Sequence, residues 1–77
     1  MLAVQCKMAR VAVGWGVREL AAAADVSPNT IARLERGEEL KASTIEAIRT
    51  ALEDAGVQFI PENGGGAGVR LRKEGEA

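Results

Sequence analysis

Gly16-Val17-Arg18-Glu19-Leu20-Ala21-Ala22-Ala23-Ala24-Asp25-Val26-Ser27-Pro28-Asn29-Thr30-Ile31-Ala32-Arg33-Leu34-Glu35-Arg36-Gly37 is the stretch from which the fold is read. Val17 to Ala24 reads as a short helix that turns Leu20, Ala21 and Ala24 inward. Asp25 and Val26 make a tight turn. Ser27 is an N-cap candidate with Pro28 at the first helical position, the favoured pairing for a helix start. The next helix runs to Arg36 and stops at Gly37. Apolar residues fall where two such helices would meet (Leu20, Ala24, Val26, Ile31, Leu34), and Ala21 supplies a small residue for close backbone approach.

Outward from this centre, residues 1–13 read as a helix with Leu2, Cys6, Ala9 and Val13 on one face, capped by Gly14. Downstream, a polar loop from Glu38 to Ala42 leads to Ser43, which with Glu46 has the pattern of a capping box. The helix that follows carries Ile45, Ile48 and Leu52 on one face and ends at Gly56. Composition changes there. Val57–Ile60 and Val69–Arg72 have strand propensity, and the turn-forming segment 61–68 between them contains an Asn-Gly pair, so a β-hairpin is expected. The reading divides the chain into a helical domain over 1–56, a hairpin over 57–73 and a disordered tail over 74–77.

Composition excludes several classes of function. The 77 residues make one small domain. Cys6 is the single cysteine and histidine is absent, so neither an internal disulfide nor a zinc-ligand set can be assembled. No catalytic constellation, metal site or cofactor motif is present, and Gly64-Gly65-Gly66 lacks the lysine and flanking helix of a phosphate loop. Lys7 and Arg10 interrupt the apolar N-terminus before it reaches signal or membrane length, so a soluble cytoplasmic protein without membrane contact is expected. The formal net charge is −1. It is unevenly spread: residues 1–37 hold five basic against three acidic residues, residues 38–56 two against five. A surface facing an anion therefore belongs to the first half.

Two short helices joined by a tight turn can offer the second to a DNA major groove. The segments 16–21 and 26–37 resemble the Cro-type, or XRE, helix-turn-helix family of lambda-repressor-like domains, over roughly residues 2–56. The ending Phe59-Ile60-Pro61-Glu62-Asn63-Gly64-Gly65-Gly66 is similar to a small bacterial subgroup. The resemblance implies an all-α core of four short helices with the hairpin appended. It also implies a sequence-specific, DNA-binding transcriptional regulator. Such a regulator works as a homodimer on a near-palindromic operator, at the nucleoid. The same fold also serves as a protein-interaction module, an antitoxin or antiactivator that binds another regulator. The family often opens its second helix with Ser-Gln, whose glutamine touches DNA or braces the recognition helix; Gly16 and Val17 stand there in this chain, so that contact is missing.

At about 100° per residue, Asn29, Arg33 and Arg36 lie within about 60° of one another with Ala32 alongside, opposite Ile31 and Leu34. Asparagine can pair bidentately with adenine and arginine with guanine. The expected DNA-binding residues are Arg18, Ser27, Pro28, Asn29, Thr30, Ala32, Arg33 and Arg36, with Arg18 placed for phosphate. Arg10 and Glu35 match positions where the family pairs its first helix with the end of its third. Cys6 and Trp15 read as core residues. Val57, Phe59, Val69 and Leu71 need apolar cover and are expected to serve dimerisation.

Overall fold

Leu20, Ile31, Ile48 and Leu52 are wholly withdrawn from solvent, and the helices are arranged around them. The computed structural model describes residues 1–72; Lys73 and the expected tail at 74–77 lie outside them. The order is α1 (Ala3–Ala12), α2 (Val17–Ala24), α3 (Pro28–Glu35), α4 (Ala42–Asp54), β1 (Val57–Ile60) and β2 (Gly68–Leu71). This is the expected four-helix core with a C-terminal antiparallel hairpin.

The α2–α3 junction forms as the sequence implies. Ala21 and Ala24 are buried, which lets α2 pack closely on both α3 and α4. Asp25 ends α2 in the left-handed region (φ 57°, ψ 46°), a conformation that Asp reaches at lower cost than most residues. The Val26 N–H reaches back to Ala21 O at 3.0 Å and closes the turn. Ser27 Oγ then accepts from the Thr30 N–H at 3.2 Å, with Pro28 in the first turn where its missing donor costs nothing.

Three element starts differ from the sequence reading, and α3 ends at Glu35 with Arg36 as its C-cap rather than running through Arg36. Leu2 is extended and outside α1, so helical periodicity does not carry it to the Cys6–Ala9 face; its residue is 54% exposed. Gln5 takes the vacant inward position and is buried. The Ser43–Glu46 capping box does not form. α4 starts one residue before Ser43, at Ala42, once Leu40 has packed against the core, and Lys41 O receives the first N–H groups from Thr44 and Ile45 at 3.0 and 3.1 Å. β2 begins at Gly68 rather than Val69, because Gly68 pairs with Ile60.

The hairpin is part of the core rather than an appendage. Val57 is buried and Phe59 and Val69 pack against the helical cluster, while Leu71 stays half exposed. Gln5 fastens it to α1: its Nε2 donates to Ile60 O at 3.1 Å and Gly68 O at 3.0 Å, and its Oε1 accepts from the Leu2 N–H at 2.8 Å. One side chain thus fixes both strands where the loop begins. Truncating it removes three hydrogen bonds and leaves a cavity. Gln5→Ala is expected to cost on the order of 2 kcal/mol in stability. Amide exchange at Ile60 and Gly68 should accelerate more than exchange in α2, whereas uniform acceleration would show that Gln5 does not hold the hairpin locally.

Candidate nucleic-acid interface

The outward face of α3 is set by what its inward face buries. Ile31 is fully buried and Leu34 nearly so. That leaves Pro28, Asn29 and Arg36 exposed, and Thr30, Ala32 and Arg33 half exposed, along the length of the helix. Arg18, in the first turn of α2, is exposed and makes no ion pair among the described residues. Ser27 is exposed as well, but its hydroxyl and that of Thr30 lie 2.9 Å apart in the cap of α3. Both hydroxyls are therefore engaged in starting the helix.

The tilt of α3 is held at its other end by charge. Arg10 Nε and Nη2 donate to Glu35 Oε2 and Oε1, each at 2.9 Å, and Arg10 Nη1 donates to Trp15 O at 3.2 Å. This two-pronged pair joins α1 to the last turn of α3 and to the segment entering α2. Both side chains are largely shielded from solvent, so water competes poorly for their hydrogen bonds. Burial pulls the Glu35 carboxyl up, but the hydrogen bonds and charge of Arg10 outweigh it and hold the group below the ordinary carboxylate range. The same contacts raise the Arg10 guanidinium. Cys6 Sγ donates to Glu35 Oε2 at 3.5 Å from a fully buried position. Burial and the neighbouring carboxylate push its thiol up to about 12, so Cys6 is an inert core group rather than a reactive one.

A residue that sequence reasoning does not single out lies at the far end of this face. Glu38, beyond the end of the helix, accepts from Arg33 Nε through Oε1 at 3.2 Å. Its Oε2 accepts from Arg36 Nε and Nη2 at 3.0 and 2.8 Å. All three side chains remain well exposed. The contact depends on the backbone turn after Gly37 (φ 89°), which sequence spacing alone does not give.

The profile of the helix-turn-helix domain matches residues 2–55, and the chain belongs to that family. The match spans α1 to α4 and agrees with the Cro-type resemblance of residues 16–37. None of the curated proteins compared with the chain matches it. The domain is of a DNA-binding class. No helix among the described residues is long and apolar enough to cross a membrane.

The Arg10–Glu35 pair yields an expectation with a defined sign. Because the native Glu35 carboxyl titrates below its ordinary 4.5, its contribution is complete above that pH and is lost as pH falls through the lowered native value. Glu35→Gln is expected to lower Tm at neutral pH by roughly 10 °C, on the order of 2 kcal/mol for a partly buried pair in so small a domain. The difference from the parent should shrink below pH 4.5. Thermal melts between pH 3 and 7, in about one-unit steps, check this. A difference that stays constant with pH would show that Glu35 stabilises by shape rather than charge.

Proposed function

We propose that the protein is a sequence-specific transcriptional regulator that reads DNA through the outward face of α3. The observation that carries this reading is the alignment of Asn29, Arg33 and Arg36 on the side of α3 opposite buried Ile31 and Leu34. Ala32 beside them is small enough to allow close approach to base edges or a thymine methyl. Arg18 and the backbone around Pro28 at the start of α3 would contact phosphate, fixing the register of the helix. In this reading the protein works in the cytoplasm, on the nucleoid, and uses no metal or cofactor.

The reading includes a homodimer. Arg72 N–H donates to Gly56 O at 2.8 Å, so the pairs Gly56–Arg72, Gln58–Arg70 and Ile60–Gly68 carry the ladder bonds. Val57, Phe59, Val69 and Leu71 then turn their backbone N–H and C=O groups to the outer edges of the two-stranded sheet. An open edge supports pairing with its copy in a second chain, and half-exposed Leu71 would gain cover there. Because the other three side chains already pack inward, this dimer would form through main-chain edges rather than through an apolar hairpin face.

Selection of binders from random duplex DNA tests the reading as a whole. The expected result is an enriched near-palindrome whose half-sites lie about 34 Å apart. On that sequence, Arg33→Ala should cost about 1–3 kcal/mol and relax preference at one base pair, whereas Arg18→Ala should weaken all sequences alike and flatten the salt dependence. No enrichment would overturn sequence-specific reading, and an unpaired half-site would overturn the dimer. A second reading, a protein-interaction module acting as antitoxin or antiactivator, draws on Val4 and Val11, which lie exposed on the outer face of α1. It is favoured if the chain binds no duplex with a steep salt dependence.

A further inference from the structure

Arg33 and Arg36 are the two strongest candidates for base contact, and neither is a free cation. Glu38 holds both. The two arginines are nevertheless held differently. Arg36 gives Glu38 one whole edge of its guanidinium, Nε together with Nη2. Arg33 gives only Nε, leaving both of its terminal nitrogens without a side-chain partner among the described residues. Those terminal nitrogens form the fork that fits O6 and N7 of a guanine. A carboxylate gripping Nε from behind restricts the rotation that would otherwise let the fork wander to the nearest phosphate oxygen.

We infer that Glu38 is a positioning residue that sets sequence specificity. It orients Arg33 for base contact and withholds both guanidiniums from indiscriminate pairing with phosphate. This inference rests on the DNA-reading role proposed for α3. Two effects follow for any duplex, and they oppose each other. The negative charge of Glu38 beside the DNA lowers affinity for every sequence, because it repels phosphate and because its ion pairs with the arginines must loosen for phosphate contact. Its grip on Arg33 raises affinity only where a guanine meets the fork, since a preoriented side chain loses less freedom on binding. The net result is a larger ratio of specific to non-specific binding rather than tighter binding overall. The Glu38 carboxyl lies below the ordinary carboxylate range, first through its bonds to Arg36 and then to Arg33, so it is charged at neutral pH.

The test is Glu38→Gln in the full-length chain, with Kd measured on the selected duplex and on a scrambled duplex at one salt concentration. The expected result is about three- to tenfold tighter binding to the scrambled duplex and little or no gain on the selected one, the scale that exposed ion pairs permit. The specificity ratio should fall by a similar factor, and Glu38→Asp should recover part of it. Glu38→Gln in an Arg33→Ala background should leave discrimination unchanged, because the fork it orients is gone. Thermal melts accompany each variant and should match the parent, since the cluster is exposed. Equal gains on both duplexes would overturn the inference, reducing Glu38 to a general electrostatic penalty. So would a Glu38→Gln variant that binds both like the parent. If the parent itself fails to discriminate between the duplexes, the DNA-reading role of α3 falls, which is a separate outcome.

Discussion

Everything placed on the outside of α3 depends on how that short helix is fixed from the inside, and the bidentate Arg10–Glu35 pair does this at its C-terminal turn. A helix of two turns is unstable in isolation, and only Ile31 and Leu34 among its residues are buried. Those two anchor α3 to the core but leave it free to roll about the line joining them. The guanidinium of Arg10 removes that freedom, because its planar fork defines an orientation as well as a distance. Its remaining nitrogen on Trp15 O carries the same constraint to the start of α2. Lysine could supply the charge there, but its donors sit on one freely rotating nitrogen and not on a rigid plane that meets both carboxylate oxygens at once.

The same logic runs through the rest of the molecule. A 77-residue chain has little apolar surface to bury, and the core is small and aliphatic, with alanines at the closest approaches. Polar side chains finish what the core begins, each by joining distant parts of the chain. Gln5 ties the hairpin to α1, Arg10 ties α1 to α3, and Arg49 lies over the Phe59 ring at 5.1 Å to bring α4 onto β1. Among the described residues no buried side-chain polar atom lacks a partner, so this polar framework costs little in desolvation. Glu38 is the exception in kind. It joins two side chains on an exposed surface, where ion pairing contributes little to folding and its consequence is for binding.

Much of this is legible in the sequence, for reasons that differ by element. The bounds of α2 are those expected, because the chain marks both ends with residues suited to their backbone: Gly16 before and Asp25 after. α3 starts where Ser27 and Pro28 indicate. The Arg10–Glu35 contact follows from family resemblance and not from spacing, since its partners lie on different helices far apart in the chain. Periodicity misplaces Leu2 because it assumes a helix that has already begun, and α1 begins after Leu2; it overlooks Gln5, which shares a face with Ala9, because only apolar residues are counted toward the core. The missing box at Ser43 shows a local signal losing to packing: Leu40 fixes the chain, and Ala42 is as good a first helical residue as any. Glu38 cannot be found from sequence, because a loop's path after Gly37 decides whether it points at the arginines or away.

That α3, held from behind by Arg10 and Glu35, is the surface that meets DNA can be measured directly. The measurement is the change in backbone amide and arginine side-chain NMR signals when the full chain is titrated with its selected duplex. The largest shifts are expected from Ser27 to Glu38 and around Arg18, with the Arg10 and Glu35 signals retained and the outer face of α1 at Val4 and Val11 unmoved. Shifts centred on Val4 and Val11, with Asn29, Arg33 and Arg36 unchanged, would contradict it.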